Sequence, residues 1–208
     1  MITILITAFD AFGGADVNPS AEAVAKIVAP DGVDLRRVVL PTSFARSFDA
    51  LRREAAALCP QAIICVGQAG GRAAVTPERV AINLMDASIP DNDGETPTDE
   101  PIVPGAEAAY FATLPFKRIR GAIKAAGIAC ELSNTAGTFV CNRVMYGALR
   151  LCATELPGTI AGFIHVPYMD GQAKNGEPSM ALGDIVRALE IAVGETAAFI
   201  AEREGGVK

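Results

Sequence analysis

The sequence predicts an α/β fold: a three-layer sandwich with a largely parallel, twisted sheet and helices on both faces. Three observations carry that prediction. Short β-branched apolar runs alternate with amphipathic segments along the chain, the pattern of strands joined by helical crossovers. The runs are continuous rather than alternating, as parallel strands buried on both faces are. At 208 residues with half of them hydrophobic, the chain is read as one domain over residues 1–208. It is long enough to bury roughly 70% of its unfolded surface.

Ile2–Phe9 is the first such run. It lacks a charged leader and stops at a Gly/Asp-rich turn, so it reads as a strand and not as a signal peptide. Ser20 is placed to cap a helix over Ala21–Val28, with Glu22 in the first turn and Pro30 beyond the end. Val33–Leu40 reads as the second strand. Ser43 or Ser47 opens a helix that runs to about Cys59, where Pro60 stops it. Ala62–Val66 is a third buried strand ended by Gly67, and Arg79–Leu84 alternates enough to be a strand. Asp86–Pro104 is polar, proline-rich and without period; a loop of that length in a compact domain reads as a mobile or subunit-contacting flap. Phe116–Ala126 then reads as a helix, Ile128–Leu132 as a strand, Cys141–Glu155 as a helix, Ile160–Val166 as a strand and Ser179–Glu202 as a closing helix.

Composition excludes several function classes. The net charge of -6 argues against nucleic acid, whose phosphates require a basic patch. No run of about 20 apolar residues is available to cross a membrane. Five cysteines, an odd number without CxxC spacing, argue against disulfide or zinc frameworks and point to a reducing cytoplasm. The single histidine, His165, rules out multi-His metal sites.

In an open α/β sheet, ligands gather at the carboxyl ends of the strands. Four segments belong there: Phe9–Ser20, Gly67–Arg72, Ser133–Phe139 and His165–Tyr168. Cys141 opens the helix that follows the third of these. A helix N-terminus favours a thiolate, and the Cys141 N–H lacks an intrahelical acceptor and can face an oxyanion. Cys59, Cys65, Cys130 and Cys152 are assigned to packing. His165 is the one imidazole available as base to a thiol nucleophile. A third group must orient the ring, and Glu78, Asp86, Asp91 and Asp170 are the acidic options. Phe9 and Phe12 read either as core or as an apolar slot for a flat, uncharged group, with Gly13-Gly14 allowing close backbone approach. No dinucleotide or Walker fingerprint is present, and Gly70-Gly71-Arg72 lacks the Lys-Ser/Thr of a phosphate loop.

Several blocks then occur in order: Phe9-Asp-Ala-Phe-Gly-Gly14, Asn18-Pro-Ser20, Val66-Gly-Gln-Ala-Gly-Gly-Arg72, Glu78-Arg-Val-Ala-Ile-Asn83, Ile89-Pro-Asp-Asn92, Ser133-Asn-Thr-Ala-Gly-Thr-Phe-Val-Cys-Asn142, Val144-Met-Tyr146 and Gly162-Phe-Ile-His-Val-Pro-Tyr168. Together they resemble the pyroglutamyl-peptidase I (pyrrolidone-carboxylate peptidase) family over nearly the whole chain. The resemblance implies a cysteine peptidase that removes an N-terminal 5-oxoprolyl residue from peptides through a thioester, without metal or cofactor, in a cytoplasmic homo-oligomer (a tetramer or dimer). Carried onto this chain, it implies a triad of Cys141, His165 and Glu78. It also implies substrate contacts from Phe9, Phe12, Asn18, Gln68, Phe139 and Val140.

This chain departs from the family pattern at one position above all. Ser88 stands where the family usually has an arginine near the developing oxyanion, and Arg72, Arg79 and Arg143 are the candidates to compensate. Ala8 and Ala11 replace the usual Gly and Pro, and Met169-Asp-Gly-Gln172 replaces a usual Leu-Pro-Glu-Gln. Two other readings stand beside the first: a weakly active relative that binds a lactam or peptide, motivated by Ser88, and another cysteine amidohydrolase such as a glutaminase.

Overall fold

A computed structural model describes residues 1–205. Its centre is a five-stranded sheet in the order β2-β1-β3-β7-β4. The strands are β1 (Ile2–Phe9), β2 (Val33–Leu40), β3 (Ala62–Gln68), β4 (Thr76–Pro77) and β7 (Ile160–Val166). β1, β2, β3 and β7 are parallel; β4 runs antiparallel against the outer side of β7, with Thr76 opposite His165. Pro77 is tolerated because β4 is an edge strand, where a missing N–H breaks no inner ladder.

Alternation along each inner strand feeds two cores. On one face Ile4, Ile6, Ala8, Ile64, Val66, Ile164 and Val166 pack against α1 (Pro19–Lys26), α3 (Phe116–Ala125) and α5 (Leu182–Gly205). On the other, Leu5, Phe9, Ile63, Cys65, Ala161 and Phe163 pack against α2 (Ser47–Leu58) and α4 (Val140–Thr154). Side chains two apart in a strand share a face. Gly67 therefore lies on the Cys65 side and His165 on the Phe163 side, both toward α4. The three-layer α/β sandwich expected from the alternation is the fold observed.

The differences from expectation are local. The first helix starts at Pro19, because Asn18 rather than Ser20 caps it: the Asn18 carboxamide oxygen accepts the Ser20 N–H at 3.0 Å, and proline suits the first helical position. Cys59 is exposed and ends α2 in the left-handed conformation (φ 46°), so it is not a packing cysteine. The strand expected at Ile128–Leu132 shrinks to one bridge between Cys130 and Val75, and the apolar signal there reports burial of Ile128 and Cys130. The strand expected over Arg79–Leu84 is β5 (Val80–Ile82), paired with β6 (Ala109–Phe111). The closing helix begins at Leu182, since β9 (Ser179–Met180) pairs with β8 (Tyr168–Met169) instead.

The 86–104 segment has no regular structure, yet it is anchored. The Asp91 carboxylate is buried and accepts the backbone N–H groups of Phe44, Asp93 and Glu95 at 2.7–2.9 Å. Asn92 donates to the Ala11 carbonyl at 2.8 Å, tying the segment to the first turn.

Candidate active site

His165 occupies the next-to-last position of β7 and is 4% exposed. Its Nδ1 lies 2.8 Å from Glu78 Oε1. Glu78 immediately follows β4, whose antiparallel register delivers it to the imidazole, and its own N–H donates to the Phe163 carbonyl at 2.9 Å. An ionised carboxylate only accepts hydrogen bonds, so Nδ1 carries the proton and Nε2 is left as the basic nitrogen. The ring stacks obliquely on Phe163, centroid to centroid 4.6 Å. Among the four acidic options, Glu78 is thus the group at the ring. Asp91 holds backbone N–H groups, Asp170 accepts the Ser179 hydroxyl at 2.7 Å, and Asp86 lies at an exposed turn.

Cys141 is the second residue of α4, half-buried, with its N–H among those that have no intrahelical acceptor. Its sulfur lies over Gly67: a Cβ built on that glycine would be 2.9 Å from Cys141 Sγ and 2.7 Å from the Phe163 ring. Gly67 and His165 are register partners on adjacent parallel strands. The sulfur therefore sits beside the imidazole, on the same face of the sheet. Gly67 was not singled out from the sequence as a site residue. The usable signal was a glycine at the end of a buried strand, which marks close approach of another group.

Asn142 fixes the helix start to the strand that follows Glu78. Its side chain, 1% exposed, donates to the Ile82 and Leu84 carbonyls at 2.9 Å and accepts the Ile82 N–H at 3.0 Å. Arg72 donates to Glu78 Oε1 at 2.6 Å and also reaches the Thr76 hydroxyl and the Thr135 carbonyl. Of the three arginines weighed against Ser88, this is the one at the catalytic cluster. Arg79 reaches the Asn134 side chain and lies over the Phe116 ring, and Arg143 lies over the Phe48 ring. Ser88 itself is exposed.

Charges follow from these contacts. Burial works against ionised Glu78, but the His165 hydrogen bond and charge, then Ser133 and Arg72, hold it below the usual carboxylate value. Burial pushes His165 below the ordinary imidazole value, and Arg72 adds to this against the pull of Glu78. Burial also pushes the Cys141 thiol up to about 12, with Glu78 and Cys65 adding and Arg72 and the helix N–H opposing. The expectation that the helix N-terminus yields a resting thiolate is therefore corrected. Desolvation outweighs the helix end, and the resting set is thiol, neutral imidazole and carboxylate.

Three of the four turns expected to converge line one cavity, and the 133–139 loop does not, bringing only Phe139 up to Phe12. A cavity of about 490 Å³ is lined by Phe12, Gly13 and Gly14 from the first turn, Gln68, Gly70 and Gly71 after β3, and Tyr168 and Gln172 after β7. Cys141 and His165 lie outside its lining; Gln68, next to Gly67, joins cavity and sulfur. Gln68 Oε1 accepts from Gln172 at 2.7 Å. Phe139, directly ahead of α4, packs edge-on against Phe44 at 5.2 Å and lies 6.1 Å from Phe12.

The remaining expected contacts are less open. Phe9 is 2% exposed and packs toward Phe163, and Val140 is fully buried in the core. Asn18 is 3% exposed, with both ends of its amide engaged by Ser20 and the Asp10 carbonyl, so it shapes the first turn. Among the described residues no cluster of three or more His, Cys, Asp or Glu could hold a metal ion, and no helix is long and apolar enough to cross a membrane.

Known proteins show the same arrangement of chain. The family model described as pyroglutamyl peptidase matches residues 2–199. A pyrrolidone-carboxylate peptidase of Streptococcus pyogenes is 48% identical over 193 residues, covering 91% of this chain and 90% of that relative. The crystal structure of pyroglutamyl peptidase I from Bacillus amyloliquefaciens superposes with a TM-score of 0.92 at 46% identity, over 95% of this chain and 98% of that one. Pyrrolidone carboxyl peptidase from Thermococcus litoralis gives a TM-score of 0.93 at 37% identity, over 98% and 96% of the two chains.

Proposed function

The chain belongs to the pyroglutamyl peptidase family, cysteine peptidases that remove N-terminal pyroglutamate, and on that premise we propose that Cys141, His165 and Glu78 perform the reaction. The observation that carries the assignment is the 2.8 Å His165–Glu78 pair with the Cys141 sulfur over Gly67, the register partner of His165.

The resting protonation states dictate the order of events. With thiol and imidazole both neutral, Cys141 Sγ attacks the carbonyl that follows the 5-oxoproline ring as its proton passes to His165 Nε2. Glu78 stabilises the imidazolium that forms. The Cys141 N–H at the start of α4 donates to the oxyanion. The imidazolium then protonates the departing amine, leaving a thioester. Water, deprotonated by His165, attacks the thioester, and free pyroglutamate leaves with regeneration of the thiol.

Pyroglutamate has no charged α-amine, so its lactam suits an apolar slot. Phe12 and Phe139, flanked by the Gln68–Gln172 pair, offer such a slot together with polar groups for the lactam N–H and C=O. A proline ring in the same place would leave those groups unpaired and be rejected. Phe9 and Val140 support the slot from beneath, and Asn18 holds the turn that carries Phe12. Ser88 contributes no charge to the oxyanion.

The proposed setting is the cytoplasm, in keeping with five cysteines that are all free. The proposed assembly is a homo-oligomer, for which exposed Val39 and Phe111 offer apolar contact; light scattering tests it. The activity is tested with a fluorogenic pyroglutamyl amide. Hydrolysis that is absent in Cys141→Ala, with the matching prolyl amide untouched, is the expected result. Hydrolysis of glutamine without hydrolysis of the lactam would overturn it.

A further inference from the structure

Glu78 uses one oxygen for everything. Oε1 accepts from both His165 Nδ1 at 2.8 Å and Arg72 Nη1 at 2.6 Å, while Oε2 is buried without a hydrogen-bond partner. The neighbouring Ser133 hydroxyl, which also helps to lower the Glu78 pKa, donates to the Thr135 carbonyl at 3.0 Å. A buried carboxylate with one bare oxygen is costly, and charge-assisted bonds to the other oxygen are what sustain it.

Arg72 does more than pair. Its guanidinium also donates to the Thr76 hydroxyl at 2.6 Å and to the Thr135 carbonyl at 3.3 Å. It thereby links three segments: the turn after β3, the β4 edge that carries Glu78, and the 133–139 loop that leads into Cys141. A planar fork can serve two acceptors at fixed angles, which a lysine ammonium cannot reproduce.

We propose that Arg72 is a positioning residue for the reaction, clamping Glu78 and the loop ahead of Cys141 as one unit and supplying the positive charge against which His165 takes up its proton. The inference rests on the assignment of Cys141, His165 and Glu78 as the reacting set. The titratable and charged groups acting on the imidazole and thiol are Glu78 beyond β4, Arg72 after β3, Cys65 within β3 and Cys141 on α4. Arg72 is the cation among them. Removing it raises the proton affinity of both His165 and Glu78, so the competent pair of neutral ring and carboxylate is lost at higher pH.

The test compares wild type, Arg72→Met, Arg72→Lys and Cys141→Ala on a fluorogenic pyroglutamyl amide, with kcat/KM measured across pH and folding checked by circular dichroism. Arg72→Met is expected to lose about ten- to a hundred-fold in kcat/KM at its best pH. Its acid limb is expected to move to higher pH, because the cation that opposes protonation of both groups is gone. Arg72→Lys keeps the charge without the fork, so its acid limb stays near wild type while its rate falls. Should Arg72→Met not fold, Arg72→Gln carries the same comparison, because it too removes the charge. An acid limb unmoved in the neutral variant overturns the proposal, whether or not the rate falls, since a purely structural role would lower the rate alone. Unchanged hydrolysis in Cys141→Ala would instead overturn the assignment of the reacting set.

Discussion

Gly67→Ala isolates the close approach on which the site depends. Gly67 has ordinary strand backbone, so alanine brings no conformational penalty and the perturbation is one methyl group. That methyl would lie 2.7 Å from Phe163 Cζ and 2.9 Å from Cys141 Sγ. Restoring a contact of about 3.5 Å requires the ring to move about 0.8 Å and the sulfur about 0.6 Å. Phe163 cannot yield freely, because it is wedged between Phe9 and the His165 ring, whose centroid is 4.6 Å away. The displacement therefore reaches both nucleophile and base. Overpacking of this kind costs about 1–3 kcal/mol. In a domain of this size that is a fall of roughly 2–12 °C in Tm. A misplacement approaching 1 Å costs on the order of 10²-fold in rate. The assay is kcat on a pyroglutamyl amide beside a thermal melt of the same preparation. A kcat within about threefold of wild type, equivalent to well under 1 kcal/mol of barrier, would refute the reasoning.

Three further outcomes follow from other parts of the site. Asn142→Ala leaves the Leu84 carbonyl and the Ile82 N–H without their partner, which costs about 1–3 kcal/mol per unsatisfied group and lowers both Tm and kcat; calorimetry with an unchanged Tm would contradict this. Ser88→Arg adds a cation beside Ile89, which lines the cavity, and is expected to raise kcat about tenfold or more; an unchanged rate would contradict the reading that a charge at this position serves the oxyanion. In the proposed reaction the neutral form of His165 is the base, and protonation disables it. Since burial depresses its pKa below 6.5, the acid limb of kcat/KM falls below pH 6.5, and a limb above that value would contradict the placement of the ring.

Much of the scaffold was legible because it is local. β1 and β7 have the bounds that their β-branched runs imply, since burial on both faces favours such runs, while β2, an edge strand carrying Asp34, Arg36 and Arg37, has the bounds set by Gly32 and Pro41 on either side. Cys141 and His165 were legible for a related reason: one opens a helix and the other ends a strand, so both stand at the sheet's carboxyl edge whatever the rest of the chain does. Glu78 was different. Only the antiparallel register of β4 on β7 brings it to His165, and no local pattern encodes that pairing, so the family resemblance had to supply it. Gly67 was hidden by the same non-locality, and Arg72 was legible only as a candidate to compensate for Ser88, as each acquires its place from a residue on another element. The protonation of Cys141 shows the opposite failure. The helix end is a local cue to a thiolate, and burial, a property of the whole fold, reverses it.

Whether Cys141 carries the acyl group is decided by mixing the enzyme with an activated ester of pyroglutamate, quenching in acid and mapping the adduct by mass spectrometry. An ester accelerates acylation relative to hydrolysis of the thioester, so the intermediate accumulates. The expected result is a 5-oxoprolyl group on the peptide containing Cys141, absent from Cys141→Ala and discharged on raising the pH of native enzyme. Turnover with no adduct at Cys141, or an adduct on another residue that is chemically competent to discharge, would contradict it.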